Sequence, residues 1–321
     1  MFLRQTAAWF EMFVTAGLLL ALPLQSLDAK PLPGELAGTE RTVRLNPASP
    51  WQLQLADDRC RLARRFESTK GPGMVLIEQI APGQRFDLTI AGPDFARARR
   101  GNWFYGGMRS DLEMVTINPL EYEIAGYDNA ILLGGISIDD DLSPEEDRQS
   151  RVAAVDPAAA DLVERIVLQR STTIVSFETG NMKAPLEALN ACSHDLLLEW
   201  GLDAEAHSTY HRPPKMPDER LYFRRLHHKL TSTPGNEGHK SLLRVRAIVT
   251  SEGSVTNCHH EYALSSGGLE PDVCQDIKDM QFDPATDRDG KPMASVYSLS
   301  LTLSQYDPWT ADAHGGRWGS D

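Results

Sequence analysis

Residues 242–262 read LLRVRAIVTSEGSVTNCHHEY, and residues 297–303 read YSLSLTL. In the first stretch Leu243, Val245 and Ala247 recur at every second position. Ser251-Glu252-Gly253 then supplies a turn, and a second extended run carries Cys258. In the other stretch Tyr297, Leu299, Leu301 and Leu303 alternate strictly with Ser298, Ser300 and Thr302. A period of two places the two sets on opposite faces of a strand, so three half-buried strands are expected over 242–250, 255–262 and 295–303. Between the last two, Val273, Ile277 and Met280 recur at helical spacing behind Pro271, a residue suited to a helix start. Residues 221–230 read as a helix ahead of the first strand. The order α-β-β-α-β describes a small α+β domain over 221–304 with an antiparallel sheet.

Upstream, residues 51–205 read as a β-rich domain with one clear helix, so the fold class of the whole is α+β. Trp51, Leu53 and Leu55 alternate with polar residues, and Cys60, Leu62 and Phe66 continue a period-two pattern. Residues 74–80 and 85–91 flank Ala81-Pro82-Gly83-Gln84 as the arms of a hairpin. Weaker strands are expected at 113–117 and 131–138, a β-branched one at 172–177 and a short helix within 153–163. The clear helix spans 184–200, with Leu186, Leu189, Leu196, Leu197 and Trp200 at helical spacing and Gly201 as its stop. Pro- and Gly-rich residues 30–50 and Pro-rich residues 206–220 read as linkers, and 305–321 as a disordered polar tail.

The chain has 321 residues, 41% of them hydrophobic, and a net charge of −13. Residues 30–205 carry −10 of that, whereas 206–304 are neutral, which fits two domains with different surfaces. The acidity argues against a nucleic-acid binder, which needs a basic face. A mean hydropathy of −0.35 excludes a polytopic membrane protein. At the N-terminus Arg4 precedes the apolar run 13–24, which has Pro23 near its end, and Ser26-Leu27-Asp28-Ala29 follows. This is the layout of a secretory signal peptide over 1–29. The alternative is an uncleaved inner-membrane anchor through residues 7–24, which sets Glu11 in lipid at a cost. Both export the rest of the chain. In an oxidising compartment an even cysteine count favours disulfides, and no CxxC is present. Four cysteines allow three connectivities, and their placement in two domains selects Cys60–Cys192 and Cys258–Cys274.

Few other residues suggest chemistry. His207 and His211 are four apart, but Pro213 and Pro214 follow, so they read as a solvated linker rather than a metal site. His227-His228, His239 and His259-His260 read as surface histidines, since neighbours on a strand point to opposite faces. Asp283, Asp287 and Asp289-Gly290 fail the calcium-loop pattern, because the first and twelfth ligand positions fall on Ala285 and Val296. Asp289-Gly290 reads as a turn before the last strand. Asp139-Asp140-Asp141 and the run Arg97, Arg99, Arg100 read as solvated loops. Gly135-Ile136-Ser137-Ile138-Asp139 lacks the second glycine of a nucleophile elbow, and phosphate-loop and zinc-protease motifs are missing. No catalytic residue, cofactor or metal site is assigned.

Residues 240–303 nevertheless resemble the C-terminal domain of TonB-family energy transducers. The resemblance rests on a strand ending in Val249, then Glu252-Gly253-Ser254-Val255-Thr256-Asn257-Cys258, Ser265-Ser266-Gly267 with Leu269, the 274–280 helix, Phe282-Asp283-Pro284-Ala285, Asp289-Gly290-Lys291-Pro292 and the long final strand. A cysteine pair at 258 and 274 is similar to a disulfide-bearing branch of that family. Ala56-Asp57-Asp58-Arg59-Cys60-Arg61-Leu62-Ala63-Arg64, with 189–203 around Cys192 and Trp200-Gly201-Leu202-Asp203, resembles the N-terminal region of exported proteins of the same branch. The resemblance implies a protein of the periplasm of a Gram-negative-type bacterium. It also implies a non-enzymatic module that binds an extended segment of an outer-membrane receptor, or of another envelope protein, by adding it as a strand to a sheet edge. That edge would be 295–303, with Ser298, Ser300 and Thr302 on its non-core face. The long Pro/Lys/Glu-rich spacer of force-transmitting members is replaced here by an acidic domain, and their tyrosine-proline pair by 223–233. The competing expectations are a periplasmic interaction protein without an energy-transducing role and an enzyme with its site in 51–201.

Overall fold

The computed structural model describes residues 41–304 except 57, 93–103, 110, 113, 118, 128, 139–153, 171, 209–211, 233–239 and 265–269. The expected signal or anchor segment, the tail, Asp139–Asp141, Arg97, Arg99, Arg100, His211, His239 and Ser265-Ser266-Gly267 lie outside the described residues. The elements run β1 (Arg41–Pro47), β2 (Gln52–Ala56), β3 (Arg59–Ser68), β4 (Gly71–Gln79), β5 (Phe86–Ala91), β6 (Phe104–Arg109), β7 (Val115–Ile117), β8 (Leu120–Tyr122), β9 (Ala130–Ile136), α1 (Pro157–Asp161), β10 (Val163–Arg170), β11 (Thr173–Phe177) and α2 (Lys183–Glu199). They continue with α3 (Ala204–Ser208), α4 (Glu219–Ser232), β12 (Lys240–Val249), β13 (Val255–Ala263), α5 (Val273–Ile277), β14 (Ala285–Thr286), β15 (Pro292–Met293) and β16 (Ser295–Ser304). The fold is α+β and strand-rich.

The first eleven strands form one curled sheet in the order β7-β6-β10-β11-β1-β3-β4-β5-β9-β8, with β2 alongside β3. Strand β1 makes the curl. Arg41–Leu45 pair in parallel with Thr173–Phe177, while Asn46 and Pro47 pair antiparallel with Glu67 and Phe66. One strand thus joins two arms whose inner faces meet, and Phe66 stacks edge-on against Phe177 at 5.3 Å. Gly73 is required there, because a Cβ would strike the Leu45 side chain and touch the Phe177 ring. Helix α2 closes the core with Leu186, Leu189 and Leu196. Its end is set by Gly201, whose φ of 71° lets Leu202 N–H reach back to the Leu197 carbonyl.

The arms of the β4–β5 hairpin, α2 and the 172–177 strand lie where expected. Two linker assignments are corrected. Residues 41–47 are strand β1, because Val43 and Leu45 alternate into the core. Residues 206–220 are not a free linker either. Arg212 bridges to Thr286 and Lys215 to Asp283, Met216 is buried in the second core, and His207 is buried on α3.

The second sheet, β13-β12-β16, is antiparallel. The order α4-β12-β13-α5-β16 is the one read from sequence, with the small pair β14–β15 inserted before the last strand. Phe223, Leu226 and Leu230 of α4 and Val273 and Ile277 of α5 pack on Leu243, Val245, Ala247, Tyr297, Leu301 and Leu303. Both expected disulfides are present: Cys60–Cys192 ties β3 to α2, and Cys258–Cys274 ties β13 to α5. Disulfides of this kind belong in an oxidising, extracytoplasmic compartment. No described helix is long and apolar enough to cross a membrane.

The two sheets are packed face to face within one compact unit. Strand β12 buries both faces. Along its outer face Leu242 joins Leu120 of β8 and Leu132 of β9, Arg244 reaches β4 and β5, and Ile248 joins Ala81, Leu197 and Leu202. Strand β12 therefore runs across the strands of the large sheet rather than along them. Gly134 allows the closest approach, since a Cβ there would collide with Leu242.

Candidate functional site

The site indicated by sequence is β16, and its geometry follows from register. Tyr297, Leu301 and Leu303 enter the second core, with Leu299 partly buried beside them. Ser298, Ser300 and Thr302 take the opposite face, as the alternation demands. That face is covered in part by the large sheet. The Ser300 hydroxyl donates to Asp87 Oδ2 at 3.2 Å, and Thr302 lies against Gly134, whereas Ser298 is exposed.

The backbone of β16 has one paired and one open side. At the β12–β13 turn, Thr250 N–H donates to the Ser254 carbonyl. Peptide groups alternate sides along a strand, so Val249, Ala247, Val245 and Leu243 turn theirs toward β16. The register sets them opposite Ser295, Tyr297, Leu299 and Leu301. The N–H and C=O groups of Val296, Ser298, Ser300 and Thr302 then point to the far side. No strand pairs with β16 there among the described residues.

Beneath β16 lies a network that the sequence reading missed. Arg244, 5% exposed, donates from Nε to Asp87 Oδ2 at 2.6 Å and from Nη2 to Glu78 Oε2 at 2.9 Å. Its Nη1 lies 3.5 Å from Glu261 Oε2. Arg59 bonds the same Glu261 oxygen at 2.6 Å and Asp58 at 2.8 Å, and Arg61 donates to Glu78 at 2.9 Å. Asp87 also accepts from Gly135 N–H at 2.8 Å. Arg246 donates to the Asp58 carbonyl and stacks over Trp200, 4.4 Å from the ring centroid. Burial opposes the charge on Arg244, but the Asp87 and Glu78 carboxylates outweigh it and raise its pKa. Burial likewise pushes Glu261 up, and Arg59 and Arg244 more than offset it, so its pKa is lowered. The hydrogen bond from Arg59 holds Asp58 low.

At the start of β16, His207 spans the same interface. Its Nε2 lies 2.9 Å from the Ser295 hydroxyl and its Nδ1 2.6 Å from the Asp203 carbonyl. Burial pushes its pKa below the ordinary histidine range, against the pull of the Asp203 carbonyl.

The remaining sequence candidates stay apart. His259 approaches Asp58 and His260 approaches Asp272, each at 3.6 Å and on opposite faces of β13. Asp287 accepts from the N–H groups of Asp289 and Lys291, forming the turn expected at Asp289-Gly290. Among the described residues no group of three His, Cys, Asp or Glu is placed to hold a metal ion. Compared with family models, curated proteins and solved structures, the chain matches none.

Proposed function

We propose that this chain is an exported, non-enzymatic binding protein of the bacterial envelope. Its partner, an extended segment of an outer-membrane receptor or another envelope protein, adds as a strand to the open side of β16. The observation that carries the reading is the line of outward backbone groups at Val296, Ser298, Ser300 and Thr302, unpaired by any described strand. In strand addition the backbone supplies affinity, and side chains on alternate positions supply specificity. The resemblance of 240–303 to TonB-family C-terminal domains and the two disulfides support the same reading.

Ser298 offers the sharpest test, because it is exposed and its N–H faces the open side. Proline at that position removes the N–H without breaking the ladder to β12. A peptide copied from the periplasmic segment of an outer-membrane receptor is titrated against wild type, Ser298→Ala and Ser298→Pro, each checked for folding by circular dichroism. Wild type and Ser298→Ala should bind alike, and Ser298→Pro about tenfold more weakly, the equivalent of ~1.4 kcal/mol. No binding by wild type, or equal binding by a folded Ser298→Pro, overturns the proposal.

A further inference from the structure

Strand β2 has a second open edge of a different kind. It pairs with β3 on one side, and no strand occupies its other side among the described residues. Gln52, Leu53, Gln54 and Leu55 are all exposed, Leu53 by 42% and Leu55 by 54%. Directly across on β3 stand Leu62 and Cys60, both buried in the core. Opposed residues share a face, so Leu53 and Leu55 continue the apolar inner face of the sheet into solvent. Proteins usually blunt such an edge with lysine, proline or an inward charge. Residues 52–56, QLQLA, contain none of these.

The pattern is also its own complement. It is nearly symmetric about Gln54, with a leucine on each side. In antiparallel pairing centred on Gln54, each Leu53 meets the Leu55 of the other copy on the same face, and on the other face Gln54 meets Gln54 and Gln52 meets Ala56. The chain carries a net charge of −13, which opposes self-association in general, but no charge would face its own copy across this junction. We propose that β2 pairs with the β2 of a second copy of this chain about a two-fold axis at Gln54, so that two curled sheets become one. A strand from another protein would gain the backbone bonds but not the symmetric leucine contacts, and that difference is measurable.

The test is sedimentation of the full-length exported chain from about 1 to about 200 µM, a range that covers weak and moderate affinities. Wild type should shift from monomer to dimer with concentration. Gln54→Lys and Gln54→Glu each set like charges directly opposite across the axis, and each should raise the dissociation constant at least about tenfold. Mixed in equal amounts, the two variants should restore the dimer, because Lys then faces Glu. Arg61 lies across from Gln54 on β3, so thermal unfolding of both variants is followed in parallel. An uncharged double variant, Leu53→Gln with Leu55→Gln, should also weaken the dimer and does not depend on that neighbour. A wild type that stays monomeric throughout overturns the proposal. So does a dimer that Gln54→Lys leaves intact, or a mixture no tighter than either variant alone.

Discussion

Arg244 is enclosed between two sheets, and what surrounds it decides whether it stabilises the molecule. Removing a charge from water is costly, and the cost is met only when partners and hydrogen bonds replace the hydration shell. Asp87, Glu78 and Glu261 provide those partners, and Gly135 N–H and the Ser300 hydroxyl complete the coordination of Asp87. Arg244→Ala leaves Asp87 buried without a cation and Glu78 with Arg61 alone, and we expect it to lower unfolding stability by about 3–5 kcal/mol in urea titrations. Arg244→Met combined with Glu78→Gln and Asp87→Asn removes the charges together and should recover a substantial part of that loss. A small effect of Arg244→Ala would mean that the network is looser than its distances imply. The sequence revealed half of this arrangement. Leu243, Val245 and Ala247 mark the core face of β12 at once, but Arg244 and Arg246 make the other face read as solvated. Their partners Asp87 and Asp58 lie 157 and 188 residues away, beyond the reach of any local pattern.

At the scale of elements, patterns were legible where the period ran long and the punctuation was clear. Helix α2, the β4–β5 hairpin and the β12–β13–β16 sheet all have an apolar period ended by Gly or a turn. Strand β1 was hidden because Val43 and Leu45 are its sole apolar pair in a Pro/Gly-rich stretch. Strands β6 and β10 were missed too; they pair with each other, an association that sequence alone does not advertise. The disulfides were legible because export and domain placement left one economical pairing. They should differ in worth. Cys258–Cys274 spans 16 residues and should contribute about 3 kcal/mol, whereas Cys60–Cys192 spans 132 and should contribute about 5 kcal/mol in the chain-entropy account. Paired Cys→Ala variants followed by urea unfolding test the order. If Cys258→Ala/Cys274→Ala proves the more damaging, loop closure is not what these bridges supply.

For the molecule as a whole, the interface between the sheets is the feature on which pH should act. It is built from the Leu120–Leu132–Leu242 cluster, the ion network and the Ala81–Leu197–Ile248–Val296 cluster, with His207 at the Ser295 end. The buried His207 has a folded-state pKa below its ordinary 6.5, so the folded protein holds it neutral while the unfolded chain takes up a proton near 6.5. Its contribution to stability is complete above about pH 6.5. It falls as the pH drops below that value toward the folded-state pKa, by at most ~1.4 kcal/mol per pH unit for a single group. Asp58 and Glu261 act in a lower window. Their folded pKa values lie below 3.8 and 4.5, so what they add is present above those values and lost as the pH falls through the folded ones. A comparison of urea midpoints at about pH 7 and about pH 5 therefore stays above the window of these two carboxylates, and a variant of His207 separates its share from that of the other histidines. Wild type should lose stability between the two, and His207→Gln, which cannot titrate, should lose distinctly less. His207→Gln also starts from a lower stability at neutral pH, because the fit between Asp203 and Ser295 is imperfect, so the slope rather than the absolute midpoint is decisive. Equal slopes in the two proteins would assign the acid sensitivity of the interface to another group.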